Sequence, residues 1–485
     1  MNGASGRAVV TWALALGLLP AISAASAEGD LSRCPAGAIA VAPGQSIQDA
    51  VDAAKPGATF CLKNGIHRLQ PTRPKPSQRF YGEGQAVLNG SRILRGFERE
   101  GSYWVLGGQV ARSRRQGYCM KTSPACGFPE TLFIDNEPLT RVMRKNELAP
   151  GRFFWDLVAA KLYLADDPGS RTVELAVAAF AFAGGASNVV ISDVLLEKFA
   201  SPAQRGAIDA QDGVGWIIEN CEVRWNSSAG ISVGRDTVVR DCYIHHNGQI
   251  GITGAGDGIR IEGNRISNNN TRGFSIGWEA GGAKISLADG VLFRANHVHD
   301  NRGPGLWCDG DCRNVVYEDN VVERNADAGI YHEISFGAVI RNNILRHNGE
   351  GSDGWFWGDD IIVAASEGVE IHNNRLTVSA GRCAIMLIDQ GRDDNGRLYK
   401  TRSNRVYDND ITFEGAPCAG GASDVEPGHE NFSIISDGQN SFDRNVYRIP
   451  RTAGAHRFVW GHDQGLDWDA LRRAGLELNG RLILY

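Results

Sequence analysis

Long apolar runs are missing from this sequence after residue 27. None approaches the ~20 residues that a membrane-spanning helix needs, which excludes a helical span there. Positive charge is also short. Fifty Lys and Arg face 56 Asp and Glu, for a formal net charge of −6, which argues against nucleic acid or an anionic membrane surface as a partner. An acidic polysaccharide stays open, because a local basic patch would suffice. There is no C-x-x-C pair, and the cysteines lack nearby histidines, so no zinc site is expected. Helical periodicity is absent from the whole central region.

Glycine is abundant instead: 60 of 485 residues, about 12% against a usual ~7%, without a collagen triplet period. Many tight turns account for it. The first 27 residues hold Arg7, the apolar run "AVVTWALALGLLPAIS" and the small-residue stretch "ASA". They read as a secretory signal peptide, and the mature chain is expected outside the cytoplasm, secreted or periplasmic. Losing Arg7 with that peptide makes the chain one unit more negative. All ten cysteines lie beyond it, an even number that suggests disulfides. Taken in chain order the candidates are Cys34/Cys61, Cys119/Cys126, Cys308/Cys312 and Cys383/Cys418.

Self-similarity dominates residues 187–412. The segments "IIENCEVRWN", "VVRDCYIHHN", "RIEGNRISNN", "LFRANHVHDN", "VYEDNVVERN" and "VIRNNILRHN" align. One column holds Cys221, Cys242, Asn264, Asn296, Asn320 and Asn343. A second, five residues on, holds Asn226, Asn247, Asn269, Asn301, Asn325 and Asn348. A glycine column follows: Gly230, Gly251, Gly273, Gly305 and Gly329. Each unit is two or three short alternating strands joined by Asn/Gly turns. Units of about 22 residues cannot bury a core alone, but stacked coils can. The expected fold is all-β, a parallel β-helix whose stacked Asn side chains bond along the axis. A leucine-rich solenoid lacks support in the Leu pattern, and a propeller would need ~40-residue blades.

The start "VAPGQSIQDAVDAAKPGATFCLKNGIHRL" gives a short amphipathic helix and then a strand, a cap for the first coil. "GLDWDALRRAGLE" reads as a helical cap at the other end. The expected organisation is a signal peptide over 1–27, the cap and first coils over 28–96, and an inserted β subdomain over 97–180. The main solenoid then runs over 181–445 and the C-terminal cap over 446–485. This start, the Asn-rich repeats and the β insertion resemble the secreted right-handed parallel β-helix proteins often called pectin-lyase-like. The resemblance implies the fold for most of the mature chain. It leaves function open, since this fold hosts lyases, hydrolases, epimerases and adhesive proteins.

Two coils carry a distinctive triplet: Trp307-Cys308-Asp309 and, 24 residues later, Tyr331-His332-Glu333. Residues one coil apart in sequence lie ~4.8 Å apart in space. Trp307 should stack on Tyr331, and Asp309 should lie beside Glu333. With Leu306 and Ile330 inward, alternation points Trp307, Tyr331, Asp309 and Glu333 outward and Cys308 and His332 inward. At the same two columns other coils carry Ser232, Thr253 and Ser275, and Gly234, Ala255 and Gly277. Paired carboxylates split their pKa values, giving the acid and base that glycan cleavage needs; the alternative is a plain surface acid pair.

Column steps of 32 (264 to 296) and 31 (343 to 374) mark loops on either side of these coils. The first brings Trp278, Glu279 and Lys284, the second Trp355, Trp357, Asp359 and Asp360. Such loops could wall a cleft. The catalytic candidates are Asp309, Glu333, Glu279, Lys284 and His332, and the sugar-binding candidates are Trp307, Tyr331, Trp278, Trp355 and Trp357. Asp359 and Asp360 offer oxygen ligands to calcium, though two adjacent acids are a weak signal. The leading expectation is glycosidic hydrolysis of a polysaccharide by a monomer that needs no cofactor. A calcium-dependent uronate lyase or epimerase, with Lys284 or His332 as base, is the first alternative; a non-catalytic glycan-binding protein is the second.

Overall fold

The computed structural model describes residues 34–110, 114–352, 354–394, 396–453 and 457–485. The expected signal peptide lies outside them. The chain winds into a parallel β-helix with three faces. Two faces are sheets of 13 strands and the third has 12, each strand pairing in parallel with the next coil apart from a final antiparallel strand. One coil is Ile217–Glu219, Glu222–Arg224 and Ala229–Val233, one strand per face.

Three-residue strands fix the packing, because only the middle side chain points inward. On the first face Ile218, Val239, Ile261, Phe293, Tyr317 and Ile340 follow one another in register, all fully buried. Phe293 and Tyr317 stack with centroids 5.0 Å apart. The second face gives Val223, Ile244, Ile266, Val298, Val322 and Leu345 in the same way. Between these faces the chain turns through a left-handed residue, such as Asn220 (φ 52°), Asp241 (φ 53°) or Asp319 (φ 58°). Asn, Asp and Gly tolerate that region best, which explains their abundance.

Both asparagine columns form buried ladders. Asn320 Nδ2 donates to Asn343 Oδ1 at 3.0 Å and to the Phe293 carbonyl at 3.0 Å, and the pattern repeats coil by coil. Each ladder ends on a carboxylate, Glu477 for the first and Asp360 for the second. Cys221 and Cys242 head the first ladder as buried free thiols.

Three of the four expected disulfides form: Cys34–Cys61, Cys119–Cys126 and Cys383–Cys418. These fit an oxidising compartment. The fourth does not. Cys308 and Cys312 are buried free thiols; Cys308 points into the core, and the Cys312 thiol is turned to the Ile285 carbonyl at 3.4 Å. No helix among the described residues is long and apolar enough to cross a membrane.

The N-terminal helix Ile47–Ala53 is capped by Ser46, whose hydroxyl accepts from the Asp49 N–H, and it buries Ile47 and Val51 over the first coil. At the other end the helix Trp468–Arg473 buries Leu471. The last strand, Arg481–Leu484, still pairs with Val446–Ile449, so the coils continue into the expected cap. The inserted subdomain is antiparallel apart from one parallel pair, Thr140–Val142 with Arg152–Asp156, and starts at Ser91–Leu94, which pairs with Val173–Ala176. Its own core holds Leu132, Phe153, Trp155, Leu162 and Leu175. Half-buried Arg272 of the solenoid donates to its Phe128 and Pro129 carbonyls, tying the two together.

Candidate active site

Four neighbouring strands of the third face build the site: β1 (Gly281–Ser286), β2 (Leu306–Asp309), β3 (Ile330–Glu333) and β4 (Ile361–Ala364). Their register places Lys284, Trp307, Tyr331 and Ile362 in one outward column. Ser286, Asp309, Glu333 and Ala364 form the next. The acid pair therefore lies side by side as expected. One strand sits differently from its sequence alignment. Gly282, not Gly273, falls in register between Gly251 and Gly305, because residues 274–280 loop out before β1. Lys284 and Ser286 thus take the columns assigned to Ser275 and Gly277, and Lys284 becomes a strand residue instead of a loop residue.

That shift gives the site its electrostatics. Lys284 Nζ lies 2.7 Å from Asp309 Oδ2 and donates to the Trp278 carbonyl at 2.8 Å. It also sits 3.6 Å from the Trp307 ring centroid. Trp307 in turn stacks on Tyr331, with centroids 5.2 Å apart and planes 16° from parallel. Glu333 is 7% exposed. Burial first, and the neighbouring Asp309 charge second, push its pKa up to about 7; Arg392, the Tyr331 hydroxyl and Lys284 pull the other way. Arg392 Nη1 lies 3.3 Å from Glu333 Oε1, but at 46% exposure it does not offset the burial. Two adjacent carboxylates thus have opposite settings: one tied to a nearby ammonium, the other buried and proton-retaining near neutrality.

Glu333 opens on a cleft of about 210 Å³, lined by Trp307, Tyr331, Asp327 and Ile362 of the solenoid. Three loops wall it. The first supplies Ile276 and Gly277, the second Trp357 and the third Gln390 and Arg392. Tyr331 and Trp357 meet at 60° with centroids 6.3 Å apart. The third loop went unread in the sequence, although the ladder step from Asn374 to Asn409 is 35 residues, longer than the other two. Asp327 was unread as well. Burial raises its pKa, and it sits in a turn where no column marks it.

Other candidates fall elsewhere. His332 is fully buried in the core, its pKa lowered by burial to about 4, and Nδ1 meets the Tyr317 hydroxyl at 3.4 Å, so it does not reach the cleft. Glu279 is buried against Thr253 and Gln204, a structural carboxylate. Trp278 packs edge-on against Tyr118 of the inserted subdomain, centroids 5.2 Å apart, and serves the site only through its carbonyl. Trp307 is 3% exposed, with Lys284 and Tyr331 on its two sides, so it is no open sugar platform. Asp359 Oδ1 accepts from the Cys383 N–H at 2.9 Å and Asp360 Oδ1 from Asn348 Nδ2 at 2.7 Å, and no cluster of three metal-ligating side chains occurs among the described residues. Trp355 lines a separate pocket.

A family model described as a right-handed beta helix region matches residues 206–376. No curated protein matches the sequence. The solved complex of XylC with xylose has a TM-score of 0.63 at 16% identity, covering 91% of this chain and 83% of that one. The A-module of the Azotobacter vinelandii mannuronan C-5 epimerase AlgE6 gives 0.45 at 16% identity, covering 90% and 93%. A glycoside hydrolase gives 0.44 at 10% identity, covering 87% and 92%. At such identities the likeness is one of fold. Ladders, faces and family model agree, and the chain is a right-handed parallel β-helix repeat protein.

Proposed function

We propose that this chain is a carbohydrate-active enzyme that hydrolyses a glycosidic bond of a polysaccharide, with Glu333 as general acid and Asp309 as base or nucleophile. One observation carries the reading: two carboxylates in register on adjacent strands, differently set by their surroundings. Glu333 holds a proton near neutral pH because it is buried beside Asp309, and Asp309 is ion-paired with Lys284. Glycoside hydrolysis needs that division between a proton donor and a second carboxylate. Tyr331 and Trp357 offer partly exposed rings at the cleft. The fold neighbour XylC was solved with xylose, in keeping with a sugar-handling cleft.

β-Elimination would need a free base. Lys284 has three donors, and two already point at Asp309 and the Trp278 carbonyl, with the Trp307 ring beside them. That engagement suits a positioning cation better than a proton acceptor. Incubation of the chain with a panel of glycans, with and without chelator, separates the readings. New reducing ends without ultraviolet absorbance, lost in Glu333→Gln, are expected. Absorbance from an unsaturated product, abolished by chelation, would instead establish a calcium-dependent lyase.

A further inference from the structure

A second pocket shares Trp357 with the Glu333 cleft, with a volume again of about 210 Å³. Trp355, Phe356 and Trp357 of the second loop wall it, and the Cys383–Cys418 disulfide lines it. Asp359 also lines it, only 2% exposed, and its Oδ2 has no hydrogen-bond partner among the described residues.

Two cations line this pocket, Arg382 and Arg457. Many arginines of the solenoid surface are paired with acids, such as Arg240 with Glu219, Arg341 with Glu318 and Arg448 with Asp410. Arg382 and Arg457 have no ion pair among the described residues. Arg382 donates to the Glu350 carbonyl at 3.4 Å, and its charge acts on Asp327 and Asp359 without contact. The Arg457 guanidinium lies over the Phe356 ring, 5.1 Å from its centroid. Two guanidinium groups without an ion pair beside aromatic walls match a planar carboxylate on a sugar ring, which an Arg fork binds bidentately.

We propose that this pocket is a second glycan subsite holding a carboxylate-bearing sugar unit, with Arg382 and Arg457 on the carboxylate and Trp355 against the ring. The proposal rests on the reading that the Glu333 cleft takes a polysaccharide. Cys383, Cys418 and Arg457 lie on the coils beyond β4, so the pocket is one to four coils from Glu333, on the order of 5–20 Å along the axis. A single oligosaccharide can span both sites.

The test uses calorimetric titration of the Glu333→Gln chain, which binds without turnover. The probes are oligouronates of four to six units, neutral xylo- and cello-oligosaccharides of equal length, and a sulfated oligosaccharide. The oligouronate is expected to bind at least about tenfold more tightly than neutral chains, and to lose that margin in added salt and in Arg382→Gln/Arg457→Gln. Neutral binding should survive in the double variant, which also shows that it folds. Equal binding of charged and neutral probes, no oligouronate binding, preference for the sulfated probe, or an indifferent double variant would each overturn the proposal. Digestion by the unmodified chain is run in parallel. Charge-dependent binding without cleavage removes the hydrolase reading and leaves the subsite; cleavage with charge-blind binding does the reverse.

Discussion

Replacing Glu333 by Gln should stabilise the fold at alkaline pH and leave it unchanged in acid. An isolated glutamic acid titrates near 4.5, and in the folded chain Glu333 is raised to about 7, mainly by burial and then by Asp309. A raised acid is penalised in the folded state only when ionised. Below pH 4.5 both states are protonated and the residue costs nothing. Between 4.5 and about 7 the unfolded chain gives up its proton first, and stability falls as pH rises. Above 7 the loss is complete. A gap of two to three pKa units corresponds to on the order of 3 kcal/mol. Gln keeps the shape and cannot ionise, so this loss disappears. Urea unfolding of both chains at pH 4, 6 and 8 reads the difference directly, and titrating groups that do not interact with Glu333 cancel between them. The variant should match the native chain at pH 4 and exceed it by about 2–3 kcal/mol at pH 8. An equal offset at all three values would refute the raised titration of Glu333 and with it the acid role.

Its two neighbours should move that titration in opposite directions. Arg392→Ala should raise the pH at which Glu333 ionises, and Asp309→Asn should lower it, read by carboxyl carbon NMR. Asn320→Ala should cost about 3–5 kcal/mol in urea unfolding, since it leaves the Phe293 carbonyl and two Asn296 donors unpaired in the core, while the Asn343 carboxamide oxygen keeps only the Asn320 backbone N–H. Thiol titration without reductant should find almost no reactive cysteine in the folded chain and four after unfolding; two would mean that Cys308 and Cys312 are bridged after all.

The repeat was legible because a β-helix writes itself locally. Its turn demands a left-handed residue at a fixed place, and its ladder demands an asparagine after it. The inward middle residue must be apolar, so each coil shows the same short pattern. The alternation that faced Asp309 and Glu333 outward and His332 inward followed from the same rule. The disulfide pairs Cys34–Cys61, Cys119–Cys126 and Cys383–Cys418 matched chain order, yet order misled at Cys308 and Cys312. Two buried thiols can be neighbours and stay unbridged, as Cys308 and Cys312 do, and chain order does not tell that from a disulfide.

What the sequence by itself determined is the solenoid, its register through most coils, and the juxtaposition of the two acids. Only the tertiary structure decided what surrounds them. Where a loop interrupts the repeat, several alignments fit equally well. Residues 274–280 could therefore displace Lys284 onto a strand beside Asp309 without disturbing the pattern. Arg392 reaches Glu333 from 59 residues away, and Trp307 is covered by Lys284 and Tyr331 on adjacent coils. Burial and partner choice depend on such long-range packing, and they set the charge of Glu333.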